Sequence, residues 1–180
     1  MASVFTHAFA AAAMGSVYAR GRELPARFWV LAMLLAVLPD ADVAAFFFGV
    51  PYGDALGHRG FTHSLAFALL AGVVTVALLF RDAGDKAALA AFFALATASH
   101  PFLDALTNGG LGVAFFWPFS DARYFFPFRP VEVSPIGVGA FFSRWGLAVI
   151  LSELVWVWLP CTLLAASVII WRRKAADDGR

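Results

Sequence analysis

An all-α, polytopic membrane bundle is the fold class this sequence predicts, and three observations predict it. Hydrophobic residues make up 62% of the chain and charged residues only 14%, against roughly 45–50% apolar and 25% charged in soluble domains. Mean hydropathy is +0.80. The apolar residues also gather into segments that approach the roughly 20 residues needed to cross a hydrocarbon core. Polar linkers between them are short, so residues 1–180 read as one membrane domain.

Five spans are expected. The first, about 4–19, is short and alanine-rich. It resembles a signal peptide only in its small residues, since no positive stretch precedes it and cleavage would discard His7. The second, 28–50, is interrupted by Pro39, Asp40 and Asp42 within "LPDAD". The third, 61–80, follows the loop "PYGDALGHRG"; the fourth, 87–107, carries "SHPFLDALTNGG" at its far end; the last, 145–171, ends in "RRKAADDGR". Between the fourth and fifth, residues 108–144 include "FFWPFS" and "YFFPFRP", a composition that suits an aromatic loop at the membrane interface.

Charge sets an orientation. Arg20, Arg22, Arg27, Arg81, Lys86, Arg172, Arg173, Lys174 and Arg180 fall on one side; Arg59, Arg123, Arg129 and Arg144 fall on the other. Positive residues favour the cytoplasm, so the C-terminus is expected inside and the N-terminus outside. A net charge of +1 argues neither for nor against nucleic acid, and no nucleic-acid partner is expected of a membrane domain. The only cysteine, Cys161, excludes an intrachain disulfide and a cysteine-based metal site.

Aspartate and histidine inside a membrane are costly and mark function by default. Counted from the cytoplasmic ends at about 1.5 Å per residue, His7, Asp40 and His100 all lie about 18–20 Å along their helices, beyond the midplane of a roughly 30 Å core. Asp104 and His63 come about 6–8 Å higher by the same count. Independent helices running in alternating directions thus bring their ionisable groups to one layer. His100 and Asp104, at i and i+4, share a helical face and can meet one ion, or act as a ligand and its orienter. Asp40 and Asp42, two apart, point apart on a regular helix unless Pro39 breaks the backbone ladder there. His58 and His63 flank Gly60, whose freedom allows a turn folding His58 back over the helix that carries His63.

Imidazole and carboxylate without thiolate suit zinc, manganese or iron, with zinc placed first and one or two divalent ions accommodated. Two bridged ions would clamp both the attacking and the leaving oxygen of a hydrolytic displacement.

Blander readings stand beside these. His7 alone is an interfacial or packed histidine. Asp40 with Asp42 is a helix break. Arg59 binds a lipid phosphate at the interface, against the sharper reading of an anion clamp. Glu153, without a histidine or carboxylate at helical spacing, is a carboxyl hydrogen-bonded within the bundle. Thr62, Ser64 and Ser99 are supporting donors or helix caps rather than nucleophiles. Convergence of the whole set carries the functional reading.

"THAFAAAAMG", "LPDAD", "HRGFTHS" and "SHPFLDALTNGG", in that order and followed by "WPF", resemble the YdjM-like family of membrane-bound metal-dependent hydrolases. The resemblance covers the first helix to about Phe119, and the HRG-x-THS block with S-H-x-x-x-D is its most specific part. It implies a bacterial inner-membrane protein and metal-dependent hydrolysis, with the metal on His7, Asp40, His58, His63, His100 and Asp104. His58 is then a further ligand or the acid for the leaving group, Asp42 a bridging ligand or the base, and Arg59 the group that holds an anionic substrate. A site at lipid depth, in the periplasmic half and under an aromatic loop, suggests an amphiphilic or lipid substrate, a phosphoester ahead of an amide or ester. Membrane lipids are the other expected partners; the oligomeric state is left open. A cation or proton-coupled transporter and a noncatalytic metal-stapled scaffold are the alternatives.

Overall fold

Two serines start two of the apolar helices. Ser3 accepts a hydrogen bond from the Thr6 N–H and Ser64 one from the Phe67 N–H, satisfying backbone donors that a helix leaves open at its first turn. A computed structural model of the chain describes residues 1–178; Arg180, counted above with the C-terminal positive residues, lies outside them. Helix α1 spans Val4–Ala19 and α2 spans Ala26–Val37. At Pro39, which has no N–H to give, α2 tightens into a 3-10 helix, Leu38–Phe48, far longer than the three or four residues usual for that geometry. A 3-10 turn at Phe61–His63 leads into α3, Leu65–Leu79, and α4 follows at Lys86–Ala105. After a long irregular stretch come α5, Val138–Phe141, and α6, Arg144–Glu153, which runs through one π turn, Leu154–Trp158, into α7, Leu159–Asp178.

The described residues hold no β-strand, only two isolated bridges, Thr107 with Val131 and Val113 with Tyr124. Three helical runs are long and apolar enough to cross a membrane: Ala26–Phe48, Lys86–Ala105 and Arg144–Asp178. Helices α1 and α3, at 16 and 15 residues, are shorter than the roughly 20 that span a bilayer upright. Five apolar segments are therefore present at the expected places, and three meet the length of a full span.

Helix α4 is the centre of the bundle, packed by α1, α2 and α3. Gly72 makes the tightest of these contacts, since a Cβ there would lie 2.6 Å from both Ala90 O and Ala94 N; only a residue without one lets α3 and α4 approach so closely. At the arginine-rich end Phe28, Phe80, Phe92 and Phe93 form a buried aromatic plug, with Phe28 and Phe92 stacked at 4.8 Å and the rings of Phe80 and Phe93 tilted at 5.4 Å. Ionisable side chains gather at the opposite end.

The π turn has an evident consequence. Its wider winding puts Glu153 and Trp158 on the same side of the last helix, against α1. Glu153 is fully buried and accepts from the Ser3 N–H, from Ser3 Oγ at 2.6 Å and from Thr6 Oγ1 at 2.8 Å. Trp158 donates its indole N–H to Thr6 Oγ1 at 2.6 Å. Glu153 is thus the bundle-bonded carboxyl that its isolation in sequence suggests, and its negative charge lies at the positive end of the α1 dipole. Replacing it by leucine strands the Ser3 and Thr6 donors at about 1–3 kcal/mol each. Glu153→Leu is expected to lower the thermal unfolding midpoint in detergent by on the order of 5–10 °C; an unchanged midpoint would show that the clamp contributes nothing.

Candidate metal centre

The 3-10 geometry of "LPDAD" decides where its two carboxylates go. At about three residues per turn, positions two apart point well away from each other, and Asp40 and Asp42 reach His63 from opposite edges of its ring. His63 Nε2 lies 3.7 Å from Asp40 Oδ1, and His63 Nδ1 lies 3.1 Å from Asp42 Oδ2. His63 itself is in the 3-10 turn ahead of α3, one residue before the Ser64 cap. The turn in HRG differs from the expectation placed on Gly60: positive φ falls on Arg59, at 63°, while Gly60 has φ −89°. Gly60 is needed for space, because a Cβ there would lie 2.2 Å from Ala55 O.

Four residues from three parts of the chain converge. Asp40, His63, His100 and Asp104 each offer an atom within 4.8 Å of the others, all buried. His100 Nε2 is 3.2 Å from Asp40 Oδ1, 4.0 Å from Asp104 Oδ2 and 3.0 Å from His63 Nε2. His63 Nε2 is 3.6 Å from Asp104 Oδ2. Two donors each about 2.0–2.2 Å from one ion can be no more than roughly 4.4 Å apart, and every one of these separations satisfies that limit.

The partners of the far ring nitrogens assign the tautomers. His100 Nδ1 lies 2.7 Å from the carbonyl oxygen of Ala36, which can only accept, so Nδ1 carries the proton. His63 Nδ1 faces the Asp42 carboxylate and Thr62 Oγ1, whose own hydrogen goes to Asp42 Oδ2 at 2.8 Å; it too must donate. With both Nδ1 atoms donating, the two Nε2 atoms face each other at 3.0 Å, a separation that one shared proton or a cation between them accounts for. Beside them, both oxygens of Asp40 are buried without a hydrogen-bond partner. Buried acceptors with nothing to accept from are costly, and a cation between them removes the cost.

The remaining residues support this group. Asp42 takes the His58 Nδ1–H at 2.7 Å, the Thr62 hydroxyl and the Arg59 N–H at 3.2 Å. Its oxygens are occupied by protein donors, the contacts of a carboxylate that orients His58 and His63. Together the three form a second cluster sharing His63 with the first. His58 Nε2 is buried and unpartnered, and its ring packs edge-on against Tyr52 at 5.0 Å; burial holds the Tyr52 phenol above its usual pKa and so neutral. His7 lies outside the four-donor set. Its ring stacks on His100 at 3.7 Å, with Nε2 3.5 Å from Asp104 Oδ1, and neither of its nitrogens has a hydrogen-bond partner.

Arg59 is fully buried. It donates from Nε to Asp104 Oδ2 at 3.0 Å, from one terminal nitrogen to Gly109 O and Leu111 O at 3.0 and 2.7 Å, and from the other to Thr107 Oγ1 at 2.9 Å. Of its five N–H groups at most one is left for an incoming anion. Its chief contacts hold Asp104 and tie down the chain after α4. Ser64 is a cap, and Ser99 donates back to Ala96 O within α4; neither is placed as a nucleophile. Arg123 was not singled out in the sequence. It bonds the carbonyls of His58, Gly112 and Asp54 at 3.0, 3.3 and 3.0 Å, fastening the aromatic loop over HRG. No spacing pattern marks a lone arginine for that role.

Comparison with known proteins agrees with the motif order. The family model described as "YdjM inner membrane protein" matches residues 1–176. "Inner membrane protein YbcI" of Escherichia coli (strain K12) is 41% identical over 177 residues, which cover 97% of this chain and 100% of that protein. No solved structure matches. Together with the apolar helices, these similarities support an inner-membrane location. The chain belongs to the YdjM family of inner membrane proteins.

Proposed function

We propose that the protein is a metal-dependent hydrolase of the bacterial inner membrane acting on an amphiphilic substrate, with a lipid-linked phosphoester preferred over an ester or amide. The observation that carries this reading is the pair of Nε2 atoms of His63 and His100 facing each other at 3.0 Å, flanked by the unpartnered carboxylate of Asp40. His63, His100, Asp40 and Asp104 hold the ion, and zinc is the first choice for this donor set, ahead of manganese and iron. When bound, such an ion supplies Lewis acidity that brings the ionisation of water toward neutral pH. His7, against Asp104 Oδ1, supplies a further donor should a second ion bind.

Each remaining group has a task. Asp42 keeps the protons of His58 and His63 on Nδ1, so the Nε2 of each stays free. His58, with that nitrogen unpartnered, is the group that passes a proton to the leaving group. Arg59 offsets the negative charge of Asp104 and fixes its oxygens, and its one uncommitted N–H faces an anionic substrate. Nine Lys and Arg residues against four on the other side support a cytoplasmic C-terminus and a periplasmic N-terminus. The polar layer then lies in the periplasmic half of the bilayer.

A noncatalytic metal staple is the second reading, favoured by one observation: three of the four donors are fully buried, and Asp40 is only 6% exposed. Transport finds less support, because the aromatic plug closes the bundle below the cluster and offers no polar path.

Purified wild type is expected to hold about one divalent ion per chain, two at most. Elemental analysis should show it lost in folded His63→Ala and His100→Ala; metal retained by both would exclude these residues as ligands. Asp42→Asn keeps the shape but gives up the charge that orients both histidines. Its metal affinity, measured by chelator competition, is expected to fall about 10–100-fold, and an unchanged affinity would remove Asp42 from its supporting role. Hydrolysis is tested by offering the loaded protein lipid phosphoesters, esters and amides in mixed micelles. Metal-dependent turnover that Asp40→Asn abolishes supports the enzyme, whereas a loaded, folded protein inert toward all three classes favours the staple.

A further inference from the structure

Helix α7 contributes no buried residue, yet it does not lie free. Between it, α1 and α4 is a cavity of about 730 Å³, within the ~300–1,000 Å³ range of ligand sites. Phe92, Leu95, Ser99 and Phe102 line it from α4, Met14 from α1 and Leu164 from α7. The α4 residues recur every three or four positions and form one stripe. His100 and Asp104 follow a different stripe, rotated by about 100° per residue, so the cavity and the metal centre use separate faces of α4. At this depth the walls meet hydrocarbon rather than water, and an apolar groove of this size takes an acyl chain.

One end of the groove is strongly basic. Arg20, Arg22 and Arg172 stand at its rim with Asp85 as the one acidic neighbour. Asp85 is engaged as the cap of α4, accepting from the Ala88 N–H at 2.9 Å. Arg20 and Arg22 are exposed, and Arg20 leaves α1 through a left-handed backbone, φ 52°. Arg22 spends one N–H on Ala19 O at 3.3 Å and Arg172 one on Val17 O at 2.6 Å. The other N–H groups of each guanidinium remain for an oxyanion, and the planar fork matches phosphate oxygens in pairs.

We propose that this groove is a binding site for an anionic glycerophospholipid, with acyl chains between α1, α4 and α7 and the phosphate on Arg20, Arg22 and Arg172. The occupant belongs to the leaflet at the arginine-rich end, opposite the metal centre, and is a bound lipid rather than the reacting one. It fills the gap that separates α7 from α4 and fastens that helix to the bundle. The charge decides the lipid: three guanidinia against one carboxylate favour a phosphatidylglycerol-type headgroup over a zwitterionic choline one, since each basic residue near the membrane surface contributes about a fivefold preference.

The test is native mass spectrometry of the full chain, released from micelles containing equal phosphatidylglycerol and phosphatidylcholine of the same chain length. Wild type is expected to retain the anionic lipid at least about tenfold over the zwitterionic one. Arg20→Gln/Arg22→Gln should lower that preference by on the order of tenfold or more. Arg173→Gln/Lys174→Gln, which takes the same charge from the same end outside the groove, should leave it unchanged. Ala88, on the same stripe of α4, also lines the groove, and Ala88→Phe, filling it, should displace both lipids. Equal retention of the two lipids by wild type overturns the proposal, as does an equal loss in the control pair or full retention by folded Ala88→Phe. Lipid is counted rather than product or metal, so failure here leaves the reading of the metal centre standing.

Discussion

Two imidazole nitrogens 3.0 Å apart, buried in one layer with three aspartates, are the constraint around which this bundle is built. Two such nitrogens do not approach so closely in a low-dielectric interior unless a proton or a cation lies between them. Each of the surrounding bonds serves to keep them so. The buried Ala36 carbonyl, near the point where α2 hands over to the 3-10 helix at Leu38, accepts the Nδ1–H of His100. Asp42, four residues beyond Leu38 in that same helix, accepts the Nδ1–H of His63. A backbone transition that would be a defect in an ordinary membrane helix therefore supplies Asp40, Asp42 and a free carbonyl within a few residues.

Burying Asp40, Asp42 and Asp104 in one layer is expensive, and an unpaired carboxylate at this depth would destabilise the fold. Arg59 compensates for one of them and binds the segment after α4 with the rest of its guanidinium. Glu153 is compensated differently, by the open N–H groups and hydroxyls at the start of α1. The two buried anions thus hold the same N-terminal turn from two directions, because the Ala2 N–H donates to Asp104 Oδ1 at 2.7 Å. At the other end the phenylalanine plug needs no such arrangement. This division lets a short bundle carry a concentrated polar layer: the charge is localised, satisfied and sealed from the opposite face.

Much of this was legible from residue types and helical arithmetic. Equal depths for His7, Asp40 and His100, and the i,i+4 pairing of His100 with Asp104, pointed to one layer, and the structure brings these residues together there. The isolation of Glu153 correctly marked it as a structural carboxyl. What sequence could not reveal were the consequences of three-dimensional closure. Nothing in "HRG" shows that Arg59 turns inward to the 109–111 carbonyls and takes the positive φ while Gly60 answers to the Ala55 carbonyl. Arg123 acquires its role only when the aromatic loop folds back on His58. The opposite duties of Asp40 and Asp42 depend on a 3-10 helix of unusual length, which a single proline announces without giving its extent.

The central claim is a statement about protons, so nitrogen NMR of isotope-labelled histidine in the zinc-loaded, detergent-purified protein tests it most directly. The account predicts that His63 and His100 are neutral, each protonated at Nδ1, and that both Nε2 resonances move when the metal is removed by chelation. A proton on Nε2 of either residue in the zinc-treated protein, with both signals indifferent to chelation, would contradict it.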